Sequence, residues 1–478
     1  AIANTTIKMG SGADTVAFDT AAEINTAKGT EGAITGGDGK DTIKLSNNAA
    51  NNAFDATEVA QIAKATGFEV LETAYVGASN TASVSLVASD FTGISEFVFS
   101  GATTGKTGAS TGATAGATDS SAAVAVTGVE NNDVFVFSAN QTGGAGVSVS
   151  NATDDAAAGA AAATFAAKVD GGANVLNITL KSSATDDSAK IVLQGAAGVA
   201  GGASTADNSG KAAVVASEFE TVNLVSSGKS ATTFANTNKL DGGASATGGT
   251  AGDAITIGTN GKLVITGDKH LDLTEGVGGS NATVDAKDFT GMLQVKTTTG
   301  NNTLIGGSNK DVLEGGSGVD TYTGNSGTDT FKIATAGEAG TTGGENITDF
   351  ALGVGGDILD IISATVLADN ATATSVFGAI TGGVAGDTLT ATVSKGIITL
   401  AGNATAKIDT VAELKAIFEL LDTNSQVDVG AIVMGGNTYV LIDDNQAAGI
   451  VTDIIQLVGV TTATSVATVA ATGSITIG

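Results

Sequence analysis

The sequence predicts an all-β protein built from a parallel β-roll and β-helix-like solenoid segments, with a few short helices. Three observations support this prediction. Residues 297–332 consist of four tandem nine-residue blocks, short β-prone runs recur between turns rich in Gly, Thr, Ser and Asn, and helix signals are few. The 478 residues include 68 Gly but no Pro and no Trp. The cores are therefore expected to be thin β layers, since large aromatic side chains are scarce.

The tandem blocks share one pattern. They read TTTGNNTLI, GGSNKDVLE, GGSGVDTYT and GNSGTDTFK, with an acid or its amide at the sixth position and an apolar or aromatic residue at the eighth. The first six residues of a block predict a turn, in which Gly permits positive φ angles. The last three predict a short strand whose middle residue points inward. The inward residues are then Leu304, Leu313, Tyr322 and Phe331.

The sixth-position acids predict a cation site in each turn. Stacked two blocks apart, such turns bring carboxylates and backbone carbonyls together, and calcium accepts six to eight oxygens at roughly 2.3 to 2.6 Å. Without the ion the carboxylates repel one another and the Gly-rich turns lose much entropy on ordering, so calcium binding drives folding. We therefore predict a calcium-stapled roll with several bound ions. The predicted ligand-forming residues are Asn302, Gly306, Gly307, Asn309, Asp311, Gly315, Gly316, Gly318, Asp320, Gly324, Gly327 and Asp329.

Isolated copies of the block occur elsewhere, at 9–17, 36–44, 248–256 and 382–390. Their predicted metal-site residues are Gly12, Asp14, Gly37, Asp38, Gly39, Asp41, Asp253 and Asp387. The alternative to a metal site in these copies is a turn of Gly and Asp in an uncharged β-helix. It applies best to the last two copies, where Ala replaces the fourth-position Gly.

The remaining elements follow from local patterns. A looser repeat at 66–76, 92–100 and 216–226 places Phe or Ile near Glu, ahead of a short alternating strand. Helices are predicted within 55–67, which ends at Gly67, and within 409–424, with Asp409 or Thr410 as N-cap. Low-complexity segments 101–123 and 151–168 predict surface loops or insertions. The uncharged segment 454–478 is rich in Thr, Ser, Gly and Val, which favours β-strands over a membrane span.

Composition limits the partners. The net charge of −28 argues against nucleic acid, and against docking on an anionic membrane by charge alone. Zero Cys excludes disulfides, thiolate catalysis and Cys-ligated metals. The chain starts without a visible Sec-type signal. Divalent cations are the partners that the acidic excess favours.

Enzyme signatures are weak. The only histidine, His270, cannot form an H-E-x-x-H zinc motif and is expected at a strand end or on the surface. Ser110 lies in a G-x-S-x-G match without the flanking strand and helix of a nucleophile elbow. A glycosidase pair of carboxylates stays open, although a chain without Trp or Arg supplies few sugar contacts. We expect a protein that is not an enzyme.

Three segments carry a resemblance to a known family. Residues 297–332 resemble the calcium-binding repeats of RTX (hemolysin-type) proteins, which are exported by type I secretion with an uncleaved C-terminal signal. Residues 344–361, GENITDFALGVGGDILDI, are similar to the exit segment of RTX β-rolls, with Asp349, Asp357 and Asp360 in matching acidic positions. Residues 435–460 are similar to the terminal strands of such proteins, with Asp443, Asp444 and Asp453 in matching positions.

With its Ala, Thr and Gly bias, the whole chain resembles RTX-type bacterial surface-layer (S-layer) proteins such as those of Caulobacter and Campylobacter. That resemblance implies a structural protein, exported to the cell surface, which self-assembles into a calcium-dependent two-dimensional lattice. Its main partner is then itself, and attachment to lipopolysaccharide would use a region not in this chain. The alternatives are an RTX adhesin or biofilm matrix protein, and the β-roll tail of a secreted hydrolase. We divide the chain into a lattice region (1–230), the tandem roll (231–345) and a C-terminal β region with the secretion signal (346–478).

Overall fold

The computed structural model shows a protein dominated by β-strands, most of them paired in parallel, so the all-β prediction is confirmed. The residues that it describes are 4–29, 32–46, 56–73, 84–100, 124–127, 133–137, 147–150, 164–170, 177–181, 188–194, 213–217, 219–227, 238–240, 253–333, 344–361, 365–367, 369, 372–374, 387–421, 428–443, 453–468 and 474–478. They fall into two compact units, Ala1–Gly276 (the N-terminal unit) and Val277–Gly478 (the C-terminal unit). The predicted boundaries near residues 230 and 345 stay predictions.

The N-terminal unit is a parallel β-solenoid. Its first stack of strands comprises Thr15–Phe18, Thr42–Leu45, Val70–Thr73, Glu96–Phe99, Val134–Phe137, Thr164–Asp170, Ser188–Gln194, Thr221–Ser227 and Lys262–Gly267. Its second stack comprises Val84–Val87, Val124–Thr127, Val147–Ser150, Asn177–Lys181, Ala213–Ala216 and Ile255–Ile257. From Val70–Thr73 onward the two stacks alternate along the chain, so each pair of strands there is one rung of a solenoid.

Shorter strands complete this unit. Ile7–Lys8, Ile34–Thr35 and Ala65–Thr66 form a small parallel sheet. Asn238–Lys239 pairs with Leu271–Gly278. The strand at Thr164–Asp170 begins inside the segment predicted as a loop at 151–168, so that part of the loop prediction is wrong. The rest of that segment, with Ser110 and segment 101–123, lies outside the described residues.

Side chains that alternate along the strands make the solenoid core. In Thr42–Leu45, Ile43 and Leu45 are buried while the alternating residues Thr42 and Lys44 are partly exposed. The rings of Phe97 and Phe135, on neighbouring rungs, stack with centroids 5.5 Å apart. All three copies of the looser repeat supply strands of the first stack, as their alternation predicts.

Three α-helices lie in the described ranges. Ala56–Ile62 and Val411–Leu421 confirm the two predicted helices. The second begins with a capping box, in which Thr410 N–H donates to Glu413 Oε2 (3.1 Å) and Glu413 N–H donates to Thr410 Oγ1 (3.3 Å). Ala21–Lys28 was not predicted, because its buried face contains only one large apolar residue, Ile24. Short 3₁₀ turns occur at Ala88–Asp90 and Thr405–Lys407.

The C-terminal unit begins with the roll. One parallel stack contains Thr283–Asp285, Thr303–Ile305, Thr321–Thr323 and Glu345–Ile347, and the facing stack contains Leu293–Thr297, Val312–Glu314, Thr330–Lys332 and Ile358–Asp360. Thr303 aligns with Thr321, and Val312 with Thr330, so turns stack two blocks apart, as predicted. The predicted inward residues at the eighth positions are all at most 1% exposed.

Mostly antiparallel strands follow the roll. They are Thr365–Val366, Thr372–Thr374, Thr390–Ser394, Ile397–Ala401, Asp428–Met434, Asn437–Asp443, Asp453–Leu457, Val466–Thr468 and Ile475–Ile477. They pack around Leu414, Ile417 and Phe418 of the helix. The β-strands predicted within 454–478 are confirmed where residues are described. No helix in the described ranges is long and apolar enough to cross a membrane.

Candidate metal centre

Two ladders of polar side chains run along the turns of the roll. The sixth-position residue of each turn donates its backbone N–H to the carboxylate of the next turn in the same stack, which is 18 residues on for the first two blocks. Asn302 N–H donates to Asp320 Oδ1 (2.6 Å), and Asp311 N–H donates to Asp329 Oδ1 (2.9 Å). Each hydrogen bond uses one carboxylate oxygen to hold the preceding turn, so the second oxygen points into the turn itself.

The second oxygen lies beside the first glycine of its own block. A Cβ atom placed on Gly306 would lie 2.7 Å from both Asp311 Oδ2 and the Gly324 carbonyl oxygen. Gly315 and Gly324 approach the Oδ2 atoms of their own aspartates, Asp320 and Asp329, in the same way. A carboxylate oxygen therefore faces the first glycine of each turn, which leaves no room for a side chain there.

The second and fourth positions also need glycine for space. Added Cβ atoms at Gly307, Gly316, Gly318 and Gly327 would meet backbone carbonyl oxygens of the turn stacked before. At Gly327 that oxygen belongs to Asn309, 2.5 Å from the added atom. The turns therefore stack with their carbonyl oxygens close to the next backbone, which adds further oxygen atoms to each site.

Burial makes these carboxylates reluctant to ionise. It raises the pKa of Asp311 to about 7, and the nearby Asp329 carboxylate adds to the rise. Burial likewise raises the pKa of Asp329 to about 7, helped by Asp357 and Asp349. The pKa of Asp320 rises to about 6, mainly through burial. Desolvation, and for Asp311 and Asp329 repulsion by neighbouring acids, thus disfavours the charged carboxylates, and a bound cation would relieve both effects.

The donor set fits calcium. Oδ2 of Asp320 is buried and accepts no hydrogen bond, which is costly for a carboxylate oxygen unless a cation binds it. Carboxylate and carbonyl oxygens are the ligands that calcium prefers. No cluster of three or more His, Cys, Asp or Glu side chains suited to a metal occurs in the described part of the chain. A cation in the roll would therefore depend on backbone carbonyls as well as on the ladder acids.

Asn302, the first member of its ladder, differs from the acids. Its Oδ1 accepts the Ala282 N–H (2.8 Å), and its Nδ2 donates to the carbonyl oxygens of Gly300 and Gly315 (both 2.9 Å). An amide N–H group thus contacts carbonyl oxygens of the turn. A direct metal contact by Asn302 remains a prediction, and both of its polar side-chain atoms already have protein partners.

Asp357 of the exit segment extends one ladder, and Asp349 of the same segment binds the start of the last tandem block. Asp329 N–H donates to Asp357 Oδ1 (2.9 Å), and Asp349 accepts the N–H groups of Gly324 and Asn325 (2.8 and 2.7 Å). Burial raises the pKa of Asp357. Asp360 lies on a strand and not in a turn, and its Oδ1 accepts the hydroxyl of Ser474 (3.0 Å).

Sequence reasoning missed one ladder acid of the roll. Asp320 N–H donates to Oε2 of the fully buried Glu345 (2.8 Å), which directly precedes Asn346 as Asp320 precedes Thr321. The separation is 25 residues instead of 18. An acid as the first residue of the strand Glu345–Ile347 was the available signal.

The predicted residues of the isolated blocks are spread over both units. Gly12, Asp14, Gly37, Asp38, Gly39 and Asp41 form two stacked turns of the N-terminal unit. Half-buried Asp253 precedes the strand Ile255–Ile257, and burial raises its pKa. Asp387 forms an ion pair with Lys407 (2.5 Å), so a positive charge already lies beside this carboxylate. The blocks 248–256 and 382–390 are otherwise mostly outside the described residues. His270 is a buried residue at the start of a strand.

These features together define a parallel β-roll with acid ladders, the class of fold that binds calcium through repeated turns. Residues 297–331 match the family model of the RTX calcium-binding nonapeptide repeat (4 copies). The chain therefore contains an RTX calcium-binding repeat region, of a type that is typical of secreted proteins. No curated protein matches the chain.

Proposed function

We propose that this chain is a secreted structural protein that folds on calcium outside the cell and assembles into a two-dimensional surface layer, with no catalytic role. The observation that carries the calcium-dependent step is the buried carboxylate of Asp320, whose Oδ2 accepts no hydrogen bond. Such a group favours a folded state only when a proton or a cation compensates it. Calcium outside the cell is the cation that fits.

The mechanism has three steps. Low calcium in the cytosol leaves the ladder acids charged and mutually repelling, so the chain stays unfolded and can be exported by a type I machine. Millimolar calcium outside binds the turns and folds the roll. Folded subunits then associate, with further calcium ions bridging acidic surfaces of a protein whose net charge is −28. Contacts of this kind propagate without closing and produce a sheet.

The lattice step rests on composition and resemblance. The chain combines a long parallel solenoid with an RTX roll, and it carries the Ala, Thr and Gly bias of RTX-type surface-layer proteins. An adhesin would usually carry long, nearly identical domain repeats, which this sequence lacks.

A calcium titration tests the proposal. Far-UV circular dichroism and negative-stain microscopy follow one sample from chelator to about 5 mM calcium, above the affinity range of many extracellular modules. We expect a coil-to-β transition followed by flat periodic sheets. A transition without sheets would favour an adhesin or a missing assembly region over the lattice. The absence of any transition would contradict calcium-dependent folding.

Matched variants test whether the roll is the part of the chain that calcium orders. Replacing Asp311, Asp320 and Asp329 with Ala should abolish the calcium-dependent order of the roll. The control replaces Asp19, Asp90 and Asp288, three exposed acids outside the ladders, with Ala, which changes the net charge equally. If the ladder variant orders at the same calcium concentration as the control, the roll is not what calcium stabilises.

A further inference from the structure

Two turns of the N-terminal unit repeat the backbone of the roll turns, although they lie outside the match at 297–331. Ser11 bridges in parallel to Asp38, and Gly12 N–H donates to the Asp38 carbonyl (2.8 Å). The fourth-position glycines have φ values of 124° at Gly12 and 136° at Gly39, against 133° at Gly318 and 146° at Gly327. Turns 9–14 and 36–41 therefore adopt the roll conformation within a helix-containing solenoid.

These turns also carry an acid ladder. Asp14 N–H donates to Asp41 Oδ1 (2.9 Å), 27 residues on, and Asp41 N–H donates to Glu69 Oε2 (2.9 Å), another 28 residues on. The pattern is the one that links Asp311 to Asp329 in the roll. The rungs are longer here because a helix follows each of the first two long strands. Glu69 belongs to a segment, 65–69, that does not follow the nine-residue pattern.

The oxygen atoms around Gly36 match those around Gly306. Gly36 N–H donates to the Thr66 carbonyl (3.0 Å), and an added Cβ atom would lie 2.7 Å from Asp41 Oδ2 and would overlap the Gly67 carbonyl oxygen. At Gly306 the corresponding neighbours are Asp311 Oδ2 and the Gly324 carbonyl oxygen. A carboxylate oxygen and a carbonyl oxygen thus approach the same face of the first glycine in both units.

Asp41 itself indicates that a ligand is needed. The residue is 0% exposed, and its Oδ2 atom is buried without a hydrogen-bond partner. The lysines on either side pair with other acids, Lys40 with Glu96 and Lys44 with Glu72, the second pair at 2.5 Å. A buried, unpartnered carboxylate oxygen beside a carbonyl oxygen is what a bound cation would stabilise.

We propose that the N-terminal unit holds its own calcium site between turn 36–41 and segment 65–69. Asp41 Oδ2 and the Gly67 carbonyl oxygen are its ligands, and Glu69 positions Asp41 by accepting its backbone N–H. The site goes beyond the proposed function of the roll, because it makes order in the helix-containing rungs depend on calcium in their own right.

Calcium binding by the full chain tests the site. Equilibrium dialysis against calcium alone compares Asp41→Asn with Asp19→Asn, which removes the same charge from an exposed position in the same unit. We expect Asp41→Asn to bind one calcium ion fewer per chain than the control. Equal binding by the two variants would overturn the proposal.

Hydrogen exchange on the parent chain gives a readout that does not depend on the folding of the Asp41 variant. Calcium should slow amide exchange in segments 32–46 and 65–73. It should do so equally in a chain carrying Asp320→Asn and Asp329→Asn, which removes two of the buried carboxylates that would bind calcium in the roll. If calcium slows exchange in the roll of the parent but not in these two segments, the N-terminal site is refuted while the proposed function stands. If calcium slows exchange in these two segments but not in the roll, the N-terminal site stands and calcium-dependent folding of the roll is refuted.

Discussion

Replacing Asp320 with Asn should stabilise the calcium-free roll and weaken its response to calcium. Oδ1 of Asp320 accepts the Asn302 N–H, while Oδ2 accepts none. Asparagine keeps the accepting oxygen and places a neutral amide where the unpartnered oxygen lies, as Asn302 itself does one rung earlier. The variant therefore removes a buried charge without removing the ladder hydrogen bond.

The magnitude follows from the raised pKa. Burial moves the pKa of Asp320 from 3.8 to about 6, and each pKa unit corresponds to about 1.4 kcal/mol. Because the folded-state pKa is raised, the stabilisation from a protonated Asp320 is fully present below pH 3.8 and is lost as the pH rises through about 6. After a discount for screening by water, ionised Asp320 destabilises the calcium-free fold by on the order of 2 kcal/mol at pH 7.5.

Hydrogen-exchange mass spectrometry of peptides within 303–332 measures the local opening free energy. In calcium-free buffer at pH 7.5, where the parent roll is expected to be largely unfolded, the variant should show more amide protection than the parent, and at pH 5 the difference should shrink. In calcium the order should reverse, because only the parent gains a carboxylate–calcium contact. Asp288→Asn, at an exposed acid, is the control. A variant that is less stable than the parent without calcium, or that gains as much from calcium, would refute this reasoning.

Three further changes test other contacts. Asn302→Asp removes the amide donor to the Gly315 carbonyl, so the free energy of unfolding without calcium should fall by about 1 to 3 kcal/mol. The new carboxylate should also let each chain bind one more calcium ion, and unchanged binding in equilibrium dialysis would contradict this. Tyr322→Phe removes the hydroxyl that accepts the Gly315 N–H (3.1 Å), so the free energy of unfolding in calcium should fall by about 1 to 3 kcal/mol. An unchanged midpoint of thermal unfolding would show that this hydrogen bond does not stabilise the fold. Thr410→Ala removes the cap that pairs with Glu413 and should destabilise the helix by about 1 kcal/mol, measured by exchange of the 411–421 amides, with no change in the roll.

The roll could be predicted because every feature of it repeats within nine residues. Turn glycine, acid and inward side chain are all fixed by position, so burial of Leu313 and Phe331 follows from sequence alone. The N-terminal rungs were harder to predict, because the number of residues between paired strands varies along the solenoid. The helix Ala21–Lys28 escaped prediction since Ala supplies most of its buried face.

The ladder partners beyond the tandem blocks could not be predicted, since they depend on which turns come to lie side by side. Glu345 and Glu69 complete ladders at separations of 25 and 28 residues, which no single period connects to Asp320 or Asp41. The role of Asn302 was equally hidden. The sequence places it at an acid position, but only the fold shows that its amide already has protein partners.

Stacking two blocks apart restricts how a roll of this kind can change in length. Consecutive blocks contribute strands to opposite sheets, and within the tandem blocks the backbone N–H of Asn302 and that of Asp311 each donate to the carboxylate 18 residues on. Inserting or deleting one block would transfer every later strand to the opposite sheet and join the two acid rows out of order. Adding or removing a pair of blocks leaves both rows continuous. Duplication or engineering can therefore lengthen this roll only in steps of two blocks, and each step adds one rung to each sheet.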